Sequence, residues 1–279
     1  MIKKILVALD QDSDTPVATQ YAIQIAKHTQ ARLTGLAVVD TKEIQASSKG
    51  GGIGSFYHAE KLRENLTAET RLQAQKLIAA FEKRVEKEGI EHVEVVEEGV
   101  SSQRIVEDMK YHDLLILGLD PHFFYGHPNQ HTQTLAGIFH HTIGSSLLVP
   151  STFRPVKRAL FAFNGSNNAA RTLHQFVHLS PFGTDVQIDV VFVNEKGIKD
   201  AELHLELTKS YLEAHGYTSR MILLEDKKVE LSILQQAELL ESDLIISGGT
   251  AHHGFTGIKF GETTSYLVKN STIPLFMDH

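Results

Sequence analysis

Self-similarity limits what this chain can fold into more than any other feature. His112-Asp113-Leu114-Leu115-Ile116-Leu117-Gly118 and Ser242-Asp243-Leu244-Ile245-Ile246-Ser247-Gly248 share Asp, Leu, Ile and Gly in register. Earlier in each half, Lys3-Lys4-Ile5-Leu6-Val7-Ala8-Leu9-Asp10 parallels Lys157-Arg158-Ala159-Leu160-Phe161-Ala162-Phe163-Asn164: a basic pair, an apolar run, then a short polar side chain. A cluster able to cap a helix follows each, Asp12 to Asp14 and Ser166 to Asn168. Two matches in the same order point to one unit written twice. At 279 residues the chain is nearly two ordinary domains of about 150 residues long. The boundary falls at Pro150–Pro155, where two prolines bracket a polar stretch. That gives a first domain over 1–151 and a second over 152–279.

Within each half, apolar runs alternate with helical patterns. The first half predicts strands at Ile2–Leu9, Arg32–Val39, His92–Glu97, Asp113–Gly118 and Ser145–Val149, with helices at Pro16–Thr29, Tyr57–Glu88, Ser101–Tyr111 and Thr134–Thr142. The second predicts strands at Val156–Phe163, Asp185–Val193, Ser219–Leu224, Asp243–Ser247 and Ile273–Met277, with helices at Asn168–Ser180, Asp200–His215, Val229–Glu241 and Glu262–Asn270. Continuous apolar runs, not alternating ones, belong to parallel strands covered on both faces. In Tyr57–Glu88, alternating charges mark a solvated face, and Leu62, Leu66, Leu72, Leu77 and Ala80 read as the buried stripe. The fold class is therefore α/β: two tandem doubly wound domains, each a five-stranded parallel sheet with helices on both faces. Antiparallel strands in either half, or one sheet running through both, would count against this duplication.

Ligands of such sheets lie beyond the carboxyl ends of the strands. Those ends are Asp10, Val38–Asp40 and the loop after Gly118 in the first half. In the second they are Asn164, Val193-Asn194 and the loop Gly248–Gly261. The latter leaves a buried strand and reaches a helix start at Glu262, where free backbone N–H groups attract an anion and Thr263 and Thr264 add hydroxyls. Glu262 suits the helix dipole but repels a phosphate. A capped surface loop is the competing reading. The Gly-rich stretch Ser47–Gly54 lacks the Lys-Ser/Thr ending of a P-loop and reads as a mobile flap, with ligand contact as the alternative.

The Val-Ala-Leu-Asp10 strand end, the Asp-Leu-Ile-Ile-Ser-Gly248 strand, and the final helix followed by Ser271-Thr272-Ile273-Pro274-Leu275 resemble the universal stress proteins. The resemblance covers both halves. It implies a five-stranded parallel sheet with flanking helices. It also implies ATP binding in some members, through Gly, two residues, Gly, nine residues, then Gly and Ser or Thr. Here Gly248, Ala251 and Gly261 keep the spacing, with alanine for the middle glycine and Glu262, then Thr263, for the hydroxyl. The resemblance places Asn164 at the acidic position after the first strand and Val193 where backbone meets adenine. Asp10, Val38 and Gly118 fit the pattern in the first half. There Pro121 removes a backbone donor and Gln133 stands near the last glycine, so the first half is the poorer site. By the same resemblance, single domains pair through their last strands, so Ser145–Val149 and Ile273–Met277 are expected to meet within one chain as an internal pseudo-dimer with approximate two-fold symmetry. Association of two chains as a further homodimer stays open.

The resemblance thus implies a stress-response binding or regulatory protein, with ATP and Mg as the candidate cofactor. A protein that binds no nucleotide, or a slow ATP hydrolase, are the alternatives. Other features set bounds. A net charge of −7 argues against nucleic acid as partner. The absence of cysteine excludes disulfides and thiolate metal sites. No stretch approaches the about 18 apolar residues of a membrane span, and the first apolar run ends at Asp10, too soon for a secretory signal, so cytoplasm is expected. Among the sixteen histidines, His122, His127, His131, His140, His141, His252 and His253 cluster in the two loops and the helix after the first. They read as solvated side chains, with a weak metal or pH-sensitive site as the alternative, and His140-His141 does not read as a ready pair. No nucleophile motif such as Gly-x-Ser-x-Gly is present. Asp108, Asp113 and Asp243 read as caps and sheet-end residues.

Overall fold

A computed structural model describes residues 1–11, 14–47, 55–121, 131–195, 200–249, 251–254 and 257–278. The Gly50–Gly54 stretch and the loop histidines His122 and His127 lie outside them. In the first half the elements are β1 (Lys4–Leu9), α1 (Thr15–Thr29), β2 (Arg32–Asp40), α2 (Thr41–Ser47), α3 (Ser55–Lys87), β3 (His92–Gly99), α4 (Ser101–Met109), β4 (Leu114–Gly118), α5 (His131–His141) and β5 (Ser145–Val149). The second half gives β6 (Arg158–Phe163), α6 (Asn167–Leu179), β7 (Gln187–Val193), α7 (Ala201–Ala214), β8 (Ser219–Leu224), α8 (Val229–Leu239), β9 (Leu244–Gly248), β10 (Ala251–Gly254), β11 (Gly257–Phe260), α9 (Glu262–Asn270) and β12 (Leu275–Asp278).

The strand order is β3-β2-β1-β4-β5-β12-β9-β6-β7-β8, one sheet of ten strands. Within this sheet every neighbouring pair of the same half is parallel, and its one antiparallel junction among the described residues is β5 on β12. A continuous sheet therefore does not contradict duplication, as the sequence reading had it. Continuity comes from the last strands of the two copies pairing with each other. The register carries the symmetry. Because Leu115 pairs with Ser146 and Ile245 with Leu275, the repeat makes Leu147 the counterpart of Phe276. Across the seam Leu147 faces Phe276, Leu148 faces Leu275 and Ser146 faces Met277. Leu147 thus meets its own counterpart at the centre, and Leu148–Leu275 and Ser146–Met277 are one contact made reciprocally on either side, the rule for a two-fold interface.

The repeated aspartate has a structural job. Asp113 Oδ2 accepts from the backbone N–H groups of Lys3 and Lys4 at 2.7 and 2.9 Å. Asp243 Oδ2 accepts from those of Lys157 and Arg158 at 3.0 and 3.1 Å. In both copies the strand that enters the sheet centre is pinned at its start. Side chains alternate between two apolar layers. Ile5, Val7 and Leu9 face α1 and α3, and Leu6 and Ala8 face α4 and α5.

Three expectations are corrected. The stripe along α3 is Leu66, Thr70, Ala74, Leu77, Phe81 and Val85, spaced by three and four residues, whereas Leu62 and Leu72 are exposed. Positions 66 and 72 lie about 120° apart around a helix. Ala80 is likewise outside the stripe. Residues Thr41–Ser47, read as loop, form α2. The Gly248–Gly261 stretch, also read as loop, contains the antiparallel hairpin β10–β11, in which Ala251 pairs with Phe260 and Gly254 with Gly257. The hairpin is a small sheet of its own, outside the parallel ladder, so it leaves the duplicated sheets intact.

Candidate functional site

At the carboxyl ends of β6, β7 and β9 lies a cavity of about 290 Å³. Its walls are layered by chemistry. Ala162, Val191, Val193, Val229 and Ile233 make an apolar side built from β6, β7 and α8. Asn164, Ser166 and Asn168 bring polar groups from the turn into α6, and Ser247, Gly248, Thr263 and Thr264 bring them from β9 and α9. The sequence-predicted residues Asn164, Val193, Gly248, Thr263 and Thr264 thus share one lining. Gly261 stands at the N-cap of α9 with no side chain to cap it. Ala251 opens β10, and because Ala251 pairs with Phe260, the nine-residue spacer folds back and sets it beside Gly261. The spacing is a hairpin, not an open loop.

Local order explains these positions. Asn164 Oδ1 accepts from the N–H of Ser166 at 3.0 Å, and Ser166 Oγ accepts from the N–H of Ala169 at 3.2 Å. The turn into α6 is therefore closed by two short polar side chains, and the Nδ2 donor of Asn164 is not used in either bond. Gly248 lies so close to α6 that a Cβ there would sit 3.0 Å from Ala169 N and 3.1 Å from its Cα. The first turn of α9 lines the cavity through Thr263 and Thr264, and first-turn amides of a helix lack intrahelical partners. An anion is favoured there, although exposed Glu262 opposes it. Sequence reasoning missed Ser166, Asn168, Ser247, Val229 and Ile233. Ser247 carried a signal: it is the one polar residue in the apolar run Leu244–Ser247.

The first half builds its crevice differently. Asp10 is buried, accepts from Thr15 Oγ1 at 2.6 Å and donates its N–H to the same oxygen at 3.0 Å. Leu117 replaces Ser247 and is fully buried. Against Gly118 lies no helix backbone but the Asp14 carboxylate, 2.1 Å from where a Cβ would be. Burial pushes the Asp14 pKa up to about 7, and the negative charge of Asp10 adds to this, with the backbone N–H groups of Asp14 and Asp120 working the other way. The place an anion would take is filled by the chain's own acid. Val38 is buried. A cavity of about 210 Å³ that Asp10 does line lies elsewhere, between α1 and α3, with Leu77, Phe81 and Arg84. Asp10 and Gly118 therefore meet neighbours unlike those of their second-half counterparts. Pro121 is buried at the start of the following loop.

Among the described residues, no group of three or more His, Cys, Asp or Glu is arranged to hold a metal. His140 and His141, expected to point apart, meet edge to face with ring centroids 4.9 Å apart at the exposed end of α5. No described helix is long and apolar enough to cross a membrane.

Comparison with protein families matches residues 1–120 and 155–279 to the universal stress protein family. The chain belongs to that family. A universal stress protein of the cyanobacterium Synechocystis, Slr1230, is 25% identical over 98% of this chain and 99% of its own length. Among solved structures, a universal stress protein from Archaeoglobus fulgidus superposes with a TM-score of 0.71 at 15% identity, covering 99% of this chain and 97% of that one. A second, from Pseudomonas aeruginosa, gives 0.64 at 16% identity, covering 99% and 93%. These two likenesses extend over both halves and establish the shared fold.

Proposed function

We propose that this chain is a cytoplasmic stress-response binding protein that holds an adenine nucleotide or nucleoside in its second half only. One observation carries the reading: Asn164, Val193, Gly248, Thr263 and Thr264, far apart in sequence, converge on one cavity at the strand ends. The valines and Ile233 suit a purine face, the Asn164 amide suits a ribose hydroxyl, and Gly248 with the first turn of α9 suits a phosphate. A volume of about 290 Å³ stands at the small end of ligand pockets, roughly 300–1,000 Å³. So small a volume fits a monophosphate better than a triphosphate. Among the described residues, the lining carries amide and hydroxyl side chains, which suit hydrogen bonding to a ligand. The two-domain division at 1–151 and 152–279 follows from the same reading.

The test is direct. Protein purified without additives is denatured and the supernatant is analysed for released nucleotide, and the emptied protein is titrated with AMP and ATP by calorimetry. Saturable binding of AMP, abolished by Ser247→Leu with the unfolding midpoint retained, is expected, since that change copies the closed floor of the first half. A protein that binds neither ligand overturns the reading and leaves a protein that acts through its surface alone.

A further inference from the structure

We infer that Phe139, on α5 of the first half, is a positioning residue for the anion end of the second-half cavity. This rests on the reading of that cavity as a site for a phosphate-bearing ligand. α5 packs on both strands of the β10–β11 hairpin, across the seam between the halves. Phe139 is buried there, and its ring lies 5.7 Å from that of Phe260, which is buried too. On its other side the same ring fills the space beside Gly249. A Cβ at that position would be 2.1 Å from Phe139 Cζ and 2.5 Å from Cε1, so the ring tip occupies the space that any side chain at residue 249 would need.

The hairpin is therefore held at both ends by one side chain. At its entry, Gly249 follows Gly248, which lines the cavity. At its exit, Phe260 precedes Gly261 and the first turn of α9, whose Thr263 and Thr264 line the same cavity. Two further contacts fix the entry. Gly249 N–H donates to the Asp278 carbonyl at 2.8 Å, and Ser145 of the first half donates its hydroxyl to Asp278 Oδ1 at 2.9 Å. The apolar end of the cavity has another origin. Val191, Val193, Val229 and Ile233 stand on β7 and α8, and β7 lies three strands from β12 in the sheet. The phosphate end thus depends on the first half, and the base end does not.

The consequence is a selective loss. In the full chain, Phe139→Ala is expected to weaken AMP binding by about fivefold or more, while adenosine, which lacks the phosphate, binds within about twofold of the parent. Phe139→Leu, which keeps apolar bulk against Gly249 and Phe260, is expected to restore most of the AMP affinity. Without any ligand, amide hydrogen exchange over residues 249–261 should rise in Phe139→Ala, with α8 unchanged. An equal loss for both ligands, or unchanged AMP affinity, overturns the inference. If the parent protein binds neither adenosine nor AMP, the proposed function fails by itself, and exchange then decides: no rise confined to the hairpin overturns the role of Phe139.

Discussion

Asp14 shows how one residue changes what stands against a repeated glycine. After β6, α6 starts at Asn167 and brings its own backbone against Gly248. After β1, α1 starts only at Thr15, and the Asp14 carboxylate reaches Gly118 instead of capping the helix. With the folded pKa near 7 against an ordinary value of 3.8, the folded protein holds a proton that the unfolded chain has lost between these values. Stability is then full below about pH 3.8 and falls as pH rises through 7. Solvent reaching the crevice reduces the effect, so a decline of roughly 2 kcal/mol between pH 5 and pH 8 is expected from this group. Asp14→Asn keeps the shape and removes the charge. Urea unfolding of both proteins at the two pH values checks this: the variant should be the more stable at pH 8 and the difference should shrink at pH 5. An identical pH dependence in the two would mean that Asp14 is not the group concerned.

At the level of elements, the repeated aspartates make a paired prediction. Asp113 and Asp243 each accept two backbone N–H groups at the start of a central strand. Alanine at either position removes two hydrogen bonds from donors that water can reach, a cost of about 0.5–1.5 kcal/mol. Equal losses in the two single variants, read from denaturation midpoints, are expected from duplication; a loss at one site alone would mark that copy's strand as held by other contacts. These elements were legible because the repeat offered each strand twice: Ser145–Val149 and Ser219–Leu224 are found with the limits the sequence gives. The five lining residues named from the second half were legible for the same reason, since strand ends fix where a crevice must be. What was not legible depends on tertiary approach. The β10–β11 hairpin is covered by α5, from the other half. Asp14 meets Gly118 only once β1 and β4 are neighbours. The α3 stripe was misread because Leu72 falls about 120° out of its phase, and because Leu62, though in phase with Leu66, stands exposed near the start of the helix.

At the level of the whole molecule, the seam decides how the two copies behave. Leu147, Leu148, Leu275 and Phe276 are all within 1% of full burial, and they pair across the junction of β5 and β12. Other ties reinforce it. The Tyr21 hydroxyl donates to the Arg154 carbonyl at 2.8 Å, the Tyr21 ring packs on Phe153 at 4.7 Å, and the Met1 ammonium donates to the His178 carbonyl at 3.1 Å. If one half unfolded alone, the other would expose an apolar strand edge and the faces of Phe139 and Phe260, a state that hydrophobic burial disfavours at roughly 25 cal/mol per Å² of apolar surface. The halves are therefore expected to unfold in one cooperative transition, with calorimetric and van't Hoff enthalpies agreeing. Phe276→Asp places a charge at the two-fold centre opposite Leu147, where its burial without a partner is costly. That variant should split the calorimetric trace into two steps as the copies lose their shared edge. Two resolved transitions in the unmutated protein would instead mean that each copy is stable on its own and that the seam only brings them together.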